Sequence, residues 1–277
     1  MSTSGDPLES ELISLFELFN QGKYEELIAS CYTMLEKFPI SPKLYNILGV
    51  AHDSIGKFDL AISHYNKSLK LNPDYAEAHN NMGNTFKMRG LFENAVESFK
   101  KAIKIKPNFA QAYNNLGAVH QARENYVLAD QSFQKAIDLK NDYVDAYINK
   151  GKVLRILGKI DLAIQNFKTA LKIDPNFFEA HFLIGLSLRE KDCFKDAITS
   201  FEMTLKIKPD HFETYNFMGN TLKSIGQTAK AIEVFEKVLL LKEDFFEVHR
   251  HLAFSKKYDG SESQIKKLHE LRKRPGL

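Results

Sequence analysis

The sequence predicts an all-α protein, an α-solenoid of antiparallel helix pairs, and three residue columns predict it. Glycine recurs at Gly49, Gly83, Gly117, Gly151, Gly185 and Gly219, each 34 residues after the last. Alanine keeps the same period at Ala61, Ala95, Ala129, Ala163, Ala197 and Ala231, and an aromatic does so at Tyr65, Phe99, Phe133, Phe167, Phe201 and Phe235. With 14 glycines in 277 residues, six such coincidences would arise by chance on the order of once in 10⁸. A fixed period of this length means stacked supersecondary units.

The repeats start at Pro42, Ala76, Ala110, Val144, Phe178 and Phe212, which puts glycine at repeat position 8, alanine at 20 and the aromatic at 24. In the repeat from Ala76, His79, Met82, Gly83 and Phe86 mark one face of a 3.6-residue helix, helix A. Gly90 ends it, because glycine takes a left-handed cap without steric cost. Phe92, Ala95, Val96, Phe99 and Ala102 mark the inner face of a second helix, helix B, which Pro107 closes. Small residues at positions 8 and 20 let the two backbones approach. No single pair buries both faces, so the pairs must stack. Residues 1–7 read as a disordered N-terminus, 8–41 as a degenerate repeat capping the stack, 42–245 as six full repeats, 246–258 as a C-terminal capping helix and 259–277 as a basic tail.

Composition excludes several classes. Thirty-eight Lys and Arg against 35 Asp and Glu give a net charge of +3, far short of a dedicated nucleic-acid binder. The basic residues Lys266, Lys267, Arg272, Lys273 and Arg274 leave that reading as the weakest alternative. Cys31 and Cys193 sit in dissimilar settings, without a CxxC motif or a disulfide framework. No apolar run reaches membrane-spanning length and the first residues lack a secretion signal, so a cytoplasmic protein is expected.

These columns resemble the tetratricopeptide repeat: an aromatic or histidine at position 4, Leu-Gly or its equivalent at 7 and 8, alanine at 20, an aromatic at 24 and proline at 32. The resemblance covers about Leu8 to Ser255 and implies a right-handed superhelix with helix A on the inner side. Departures are local: Asn141 and Glu243 replace the proline, Lys150 replaces the apolar residue at position 7, and position 4 holds Tyr or His, never Trp.

No enzyme constellation is present. Gly151 to Gly158 followed by Lys159 mimics a phosphate loop, but its glycines are too far apart, Ile160 replaces Ser/Thr, and the segment belongs to helix A. His79, His181 and His249 occupy position 4, and His52 and His120 position 11, both packing columns, so neither a metal nor another cofactor is expected.

Binding chemistry falls instead on helix A positions 2, 5, 6, 9, 12 and 13. Asn81, Asn115 and Asn149 form a column at position 6, flanked by Asn80, Asn114 and Asn216 at position 5 and by Asn84 and Asn220 at position 9. An amide both donates and accepts, so such a ladder suits the backbone of an extended peptide. It resembles the asparagine ladder in the repeat region of O-GlcNAc transferases. Arg155, Arg189 and Lys223 at position 12 form a basic edge opposite acids at position 2, and Phe182, Leu183, Leu186 and Phe217 offer an apolar anchor. The carboxylate clamp of chaperone-binding repeats is excluded, since Asn80, Asp145 and Asn149 stand where it needs cations. The run from Val248 to Leu268 resembles the segment joining such repeats to a sulfotransferase domain in bacterial proteins. The expected function is a non-catalytic scaffold binding a protein or extended peptide, without membrane or nucleic acid. The alternative is a recognition subunit or remnant of a repeat-containing glycosyltransferase or sulfotransferase, acting in trans.

Overall fold

The computed structural model describes residues 6–255, and among these every regular element is an α-helix. The chain divides into two compact bodies, Met1–Ala146 and Tyr147–Leu277, each a stack of antiparallel helix pairs. The first holds α1 (Glu9–Asn20), α2 (Tyr24–Lys37), α3 (Pro42–Ser54), α4 (Phe58–Leu71), α5 (Ala76–Met88), α6 (Phe92–Ile105), α7 (Ala110–Ala122) and α8 (Tyr126–Leu139). The division falls in α9 (Val144–Ile156). The second body continues with α10 (Ile160–Ile173), α11 (Phe178–Glu190), α12 (Phe194–Ile207), α13 (Phe212–Ser224), α14 (Thr228–Leu241) and α15 (Phe246–Ser255). The expected basic tail lies outside the described residues.

The turn between helices A and B is the same in each repeat because its chemistry is the same. Gly90 has φ 73°, the Gly90 N–H donates to Lys87 O, and the Leu91 N–H reaches back to Phe86 O at 2.9 Å. These bonds satisfy carbonyls that the helix end would leave orphaned. Where glycine is missing, the turn keeps its left-handed residue: Glu124 has φ 58° and Asp192 φ 57°. The connection from helix B to the next helix A also survives loss of proline, with the Tyr143 N–H donating to Lys140 O at 3.2 Å beside Asn141.

The glycine column is explained by the aromatic column. A Cβ added to Gly83 would lie 2.7 Å from Cε1 of Phe99, a ring that is 0% exposed. The same collision recurs at all six glycines. The first repeat, which lacks the glycine, inverts the pair: Leu15 stands at position 8 and Cys31 at position 24, both buried in one cluster with Leu27 and Leu44. A small position 24 makes room for a large position 8. Burial pushes the Cys31 thiol up to about 12, so it is a packing residue.

Two residues assigned by sequence to a disordered leader are packed. Pro7 is buried, and the Asp6 carboxylate accepts hydrogen bonds from the Ser41 hydroxyl and the Lys43 backbone N–H. Ser41 is the N-cap of α3 and accepts from Leu44 N, so Asp6 extends a helix cap. That reach over 35 residues was invisible to a reading of local composition.

Candidate functional site

Position 4 is a structural column. His79 Nε2 donates to Pro73 O at 3.0 Å and His249 Nε2 to Glu243 O at 2.8 Å, tying each helix A to the turn before it. His52 Nδ1 at position 11 donates to Leu48 O at 2.8 Å. Among the described residues, no group of three or more His, Cys, Asp or Glu side chains could hold a metal ion.

The asparagines of position 5 and those of position 6 have different roles. Asn80 is 1% exposed, and Asn46, Asn114 and Asn216 are also buried. In the N-terminal body, Asn81 Nδ2 donates to Asn46 Oδ1 at 3.1 Å, and Asn115 Nδ2 donates to Asn80 Oδ1 at 3.0 Å. Position 6 of one repeat is therefore bonded to position 5 of the repeat before it. The expectation that Asn80, Asn114 and Asn216 flank a ligand directly is revised: they are buried, and their amides orient neighbouring groups. Asn81 and Asn115 remain half-buried on the helix A face. Asn81 Oδ1 also accepts from Asn80 Nδ2 at 3.5 Å; an amide has two donor hydrogens and two acceptor lone pairs, so these bonds fix the orientation and leave further capacity. Asn84 is half-buried on the same face.

In the C-terminal body, Asn149 is half-buried and Asn220 Nδ2 donates to Asn216 Oδ1 at 3.4 Å. The expected basic edge is largely engaged. Arg155 pairs with Glu190 at 2.7 Å, and the Arg189 guanidinium stands 5.3 Å from the centre of the Phe217 ring. Lys223 is half-buried. The acidic edge is engaged as well, Glu179 pairing with Lys152 at 2.6 Å.

The expected apolar anchor near Phe182 is also corrected. Leu183 is only 5% exposed, and Phe182 packs against Phe217 at 5.7 Å and His211 at 5.1 Å between ring centres. The aromatic rings cover one another. An open apolar cavity of about 500 Å³ lies instead in the N-terminal body, between α1 and the helix A faces of α3 and α5. Sequence reasoning missed it by reading the first repeat only as a cap; the signal was Phe16 and Phe19 at positions 9 and 12, where full repeats place such residues as Asn84 and Lys87.

Fold and site together define an α-solenoid whose helix A face carries the polar groups that packing does not consume. Family models described as TPR repeat match residues 54–90, 83–124 and 151–192, and models described as tetratricopeptide repeat match 109–141 and 212–245. The solved structure of MamA is 32% identical, with a TM-score of 0.55 over 58% of this chain and 95% of that one. The chain belongs to the tetratricopeptide repeat family. YrrB, described as a TPR protein with an unusual peptide-binding site, is 22% identical, with a TM-score of 0.55 over 67% of this chain and 96% of that one, a likeness of fold. A 69-residue stretch is 37% identical to the probable biofilm formation methyltransferase WspC of Pseudomonas putida, covering 24% of this chain and 16% of that protein.

Proposed function

We propose that this chain is a non-catalytic scaffold that holds a protein or extended peptide on its helix A face. One observation carries the reading: Asn81 and Asn115 are set in orientation by amide bonds from the preceding repeat, at equivalent positions 34 residues apart. Preorganised amides of this kind bind a backbone with little further ordering cost. Each body contributes its own stretch, with Asn81, Asn84 and Asn115 in the first and Asn149, Asn220, Arg189 and Lys223 in the second. The histidines support a non-catalytic role, because His52, His79 and His249 spend ring nitrogens on the repeat's own carbonyls. No helix among the described residues is long and apolar enough to cross a membrane.

The test is affinity capture from native lysate with the intact chain and with Asn81, Asn115 and Asn149 all changed to Ala, read by mass spectrometry. Partners lost with the triple variant support the groove, and identical partner sets refute the ladder. The alternative, a recognition subunit for a glycosyl- or sulfotransferase acting in trans, rests on the asparagine column and the sequence after Val248. It predicts a transferase among the ladder-dependent partners.

A further inference from the structure

The cavity in the N-terminal body has chemistry of its own. Its floor is Leu12 and Leu15, 4% and 1% exposed, and Ile47 and Val50 of α3 form one wall. Phe16 stands at the rim, 55% exposed, and Phe109 closes the far side. Five amide side chains, Asn20, Asn46, Asn80, Asn81 and Gln111, interrupt this apolar surface.

Charge narrows the occupant. Glu77 lines the cavity, but Lys106 holds its carboxylate at 2.8 Å and lies 4.7 Å from the centre of the Phe109 ring. Lys43 also lines it, and the Asp6 carboxylate sits against its backbone N–H at 3.3 Å. The lining itself carries one cation, Lys43, and one anion, Glu77, with Lys106 and Asp6 beside them. A charged side chain entering over the Leu12 and Leu15 floor loses its water to an apolar surface, whereas an aromatic or large aliphatic side chain gains by burying apolar area. The amides at the mouth suit the peptide groups on either side of it.

We infer that this cavity is the anchor subsite of the helix A groove, taking an uncharged aromatic or branched aliphatic side chain from a segment whose backbone meets Asn20, Asn81 and Gln111, the lining amides that are not buried. The inference rests on the groove reading above and deepens it, by placing the anchor at the N-terminal body. Phe16 is the specificity-determining residue at its rim, and Val50 sets its depth.

The experiment is amide-detected NMR of the full chain titrated with N-acetyl-phenylalanine amide, with the aspartate and lysine amides as charged comparisons. Saturable shifts of the Asn20, Asn81 and Gln111 side-chain amides are expected with the phenylalanine probe. The charged probes should bind at least about tenfold more weakly, and the exposed change Phe16→Ser should weaken the phenylalanine probe about fivefold. Val50→Trp, which fills the cavity, should abolish its shifts, while Phe16→Ser guards against misfolding of that variant. Unmoved amides, or equal response to all three probes, would overturn the inference. So would a concentration-dependent dimer abolished by Phe16→Ser in sedimentation, since a second copy would then be the occupant. Asn115→Ala separates the two levels: captured partners lost with it while the phenylalanine probe fails would sink the anchor and leave the groove standing.

Discussion

Changing Gly83 to Ala tests the packing rule on which the whole stack rests. In an exposed helix interior this substitution gains about 1 kcal/mol from backbone propensity. Here the new methyl would sit 2.7, 2.9 and 3.0 Å from Cε1, Cδ1 and Cζ of Phe99, well inside the roughly 3.5–4.0 Å of normal carbon contact. Phe99 is 0% exposed and cannot swing into solvent, and overpacking of this kind costs roughly 1–3 kcal/mol or more. The clash outweighs propensity, so a net loss of up to about 2 kcal/mol is expected, a fall in Tm of up to several degrees for a body of this size. The assay is thermal unfolding followed by circular dichroism, with hydrogen exchange to localise the loss to α5 and α6, because repeat stacks open locally. The pair Leu15 and Cys31 supplies the rescue: Gly83→Leu with Phe99→Cys should be more stable than Gly83→Leu alone. A rise in Tm for Gly83→Ala, or no rescue by the pair, would refute the reasoning.

Other outcomes follow from the same geometry. Asn80→Ala removes a 1% exposed acceptor and leaves Asn115 Nδ2 without its partner; it should cost about 1–3 kcal/mol in chemical unfolding, more than the exposed change Glu97→Ala. Glu124→Gly relieves a left-handed residue at φ 58° and should stabilise by up to about 1 kcal/mol, visible as a higher urea midpoint with unchanged slope. His64 lies in a polar and aromatic nest: its ring stacks on His52 at 4.9 Å, Tyr32 shares a 3.4 Å hydrogen bond, Tyr45 stacks at 6.3 Å, and Lys67 is one turn along α4. Burial, then the nearby His52 and Lys67 charges, push its pKa down to about 4. The unfolded chain therefore takes up this proton first, and stability falls as pH drops from about 6.5 to about 4. His64→Phe should flatten that part of a stability-against-pH curve, and an unchanged slope would refute the assignment.

The architecture was legible because each column has a single physical cause that recurs from repeat to repeat. Glycine at position 8 faces a ring, glycine at position 15 takes positive φ, and both read directly from a 34-residue period. The site was legible only in part, because exposure on helix A is decided by the neighbouring repeat. Asn80 and Asn81 are adjacent in sequence, yet one is buried between repeats and the other remains on the surface. Arg155 looked available in a column of cations, but its partner Glu190 lies one residue off the equivalent position in the next repeat. Phe182 and Phe217 looked like an open anchor until His211 and Arg189 were placed against them. Phe16 and Phe19 broke the column pattern at the first repeat, and an aromatic pair replacing polar residues there marks a different surface.

The most direct test of the central claim is selection of a random dodecapeptide phage library on the intact chain, with the enriched peptides re-measured by fluorescence anisotropy against two variants. The account predicts at least tenfold loss of affinity with Asn81, Asn115 and Asn149 changed to Ala. It predicts no change with Arg89 and Arg123 changed to Ala, whose ion pairs to Asp59 and Glu93 lie at the helix A to helix B turns. Peptides that ignore the asparagines and depend on those arginines would contradict it.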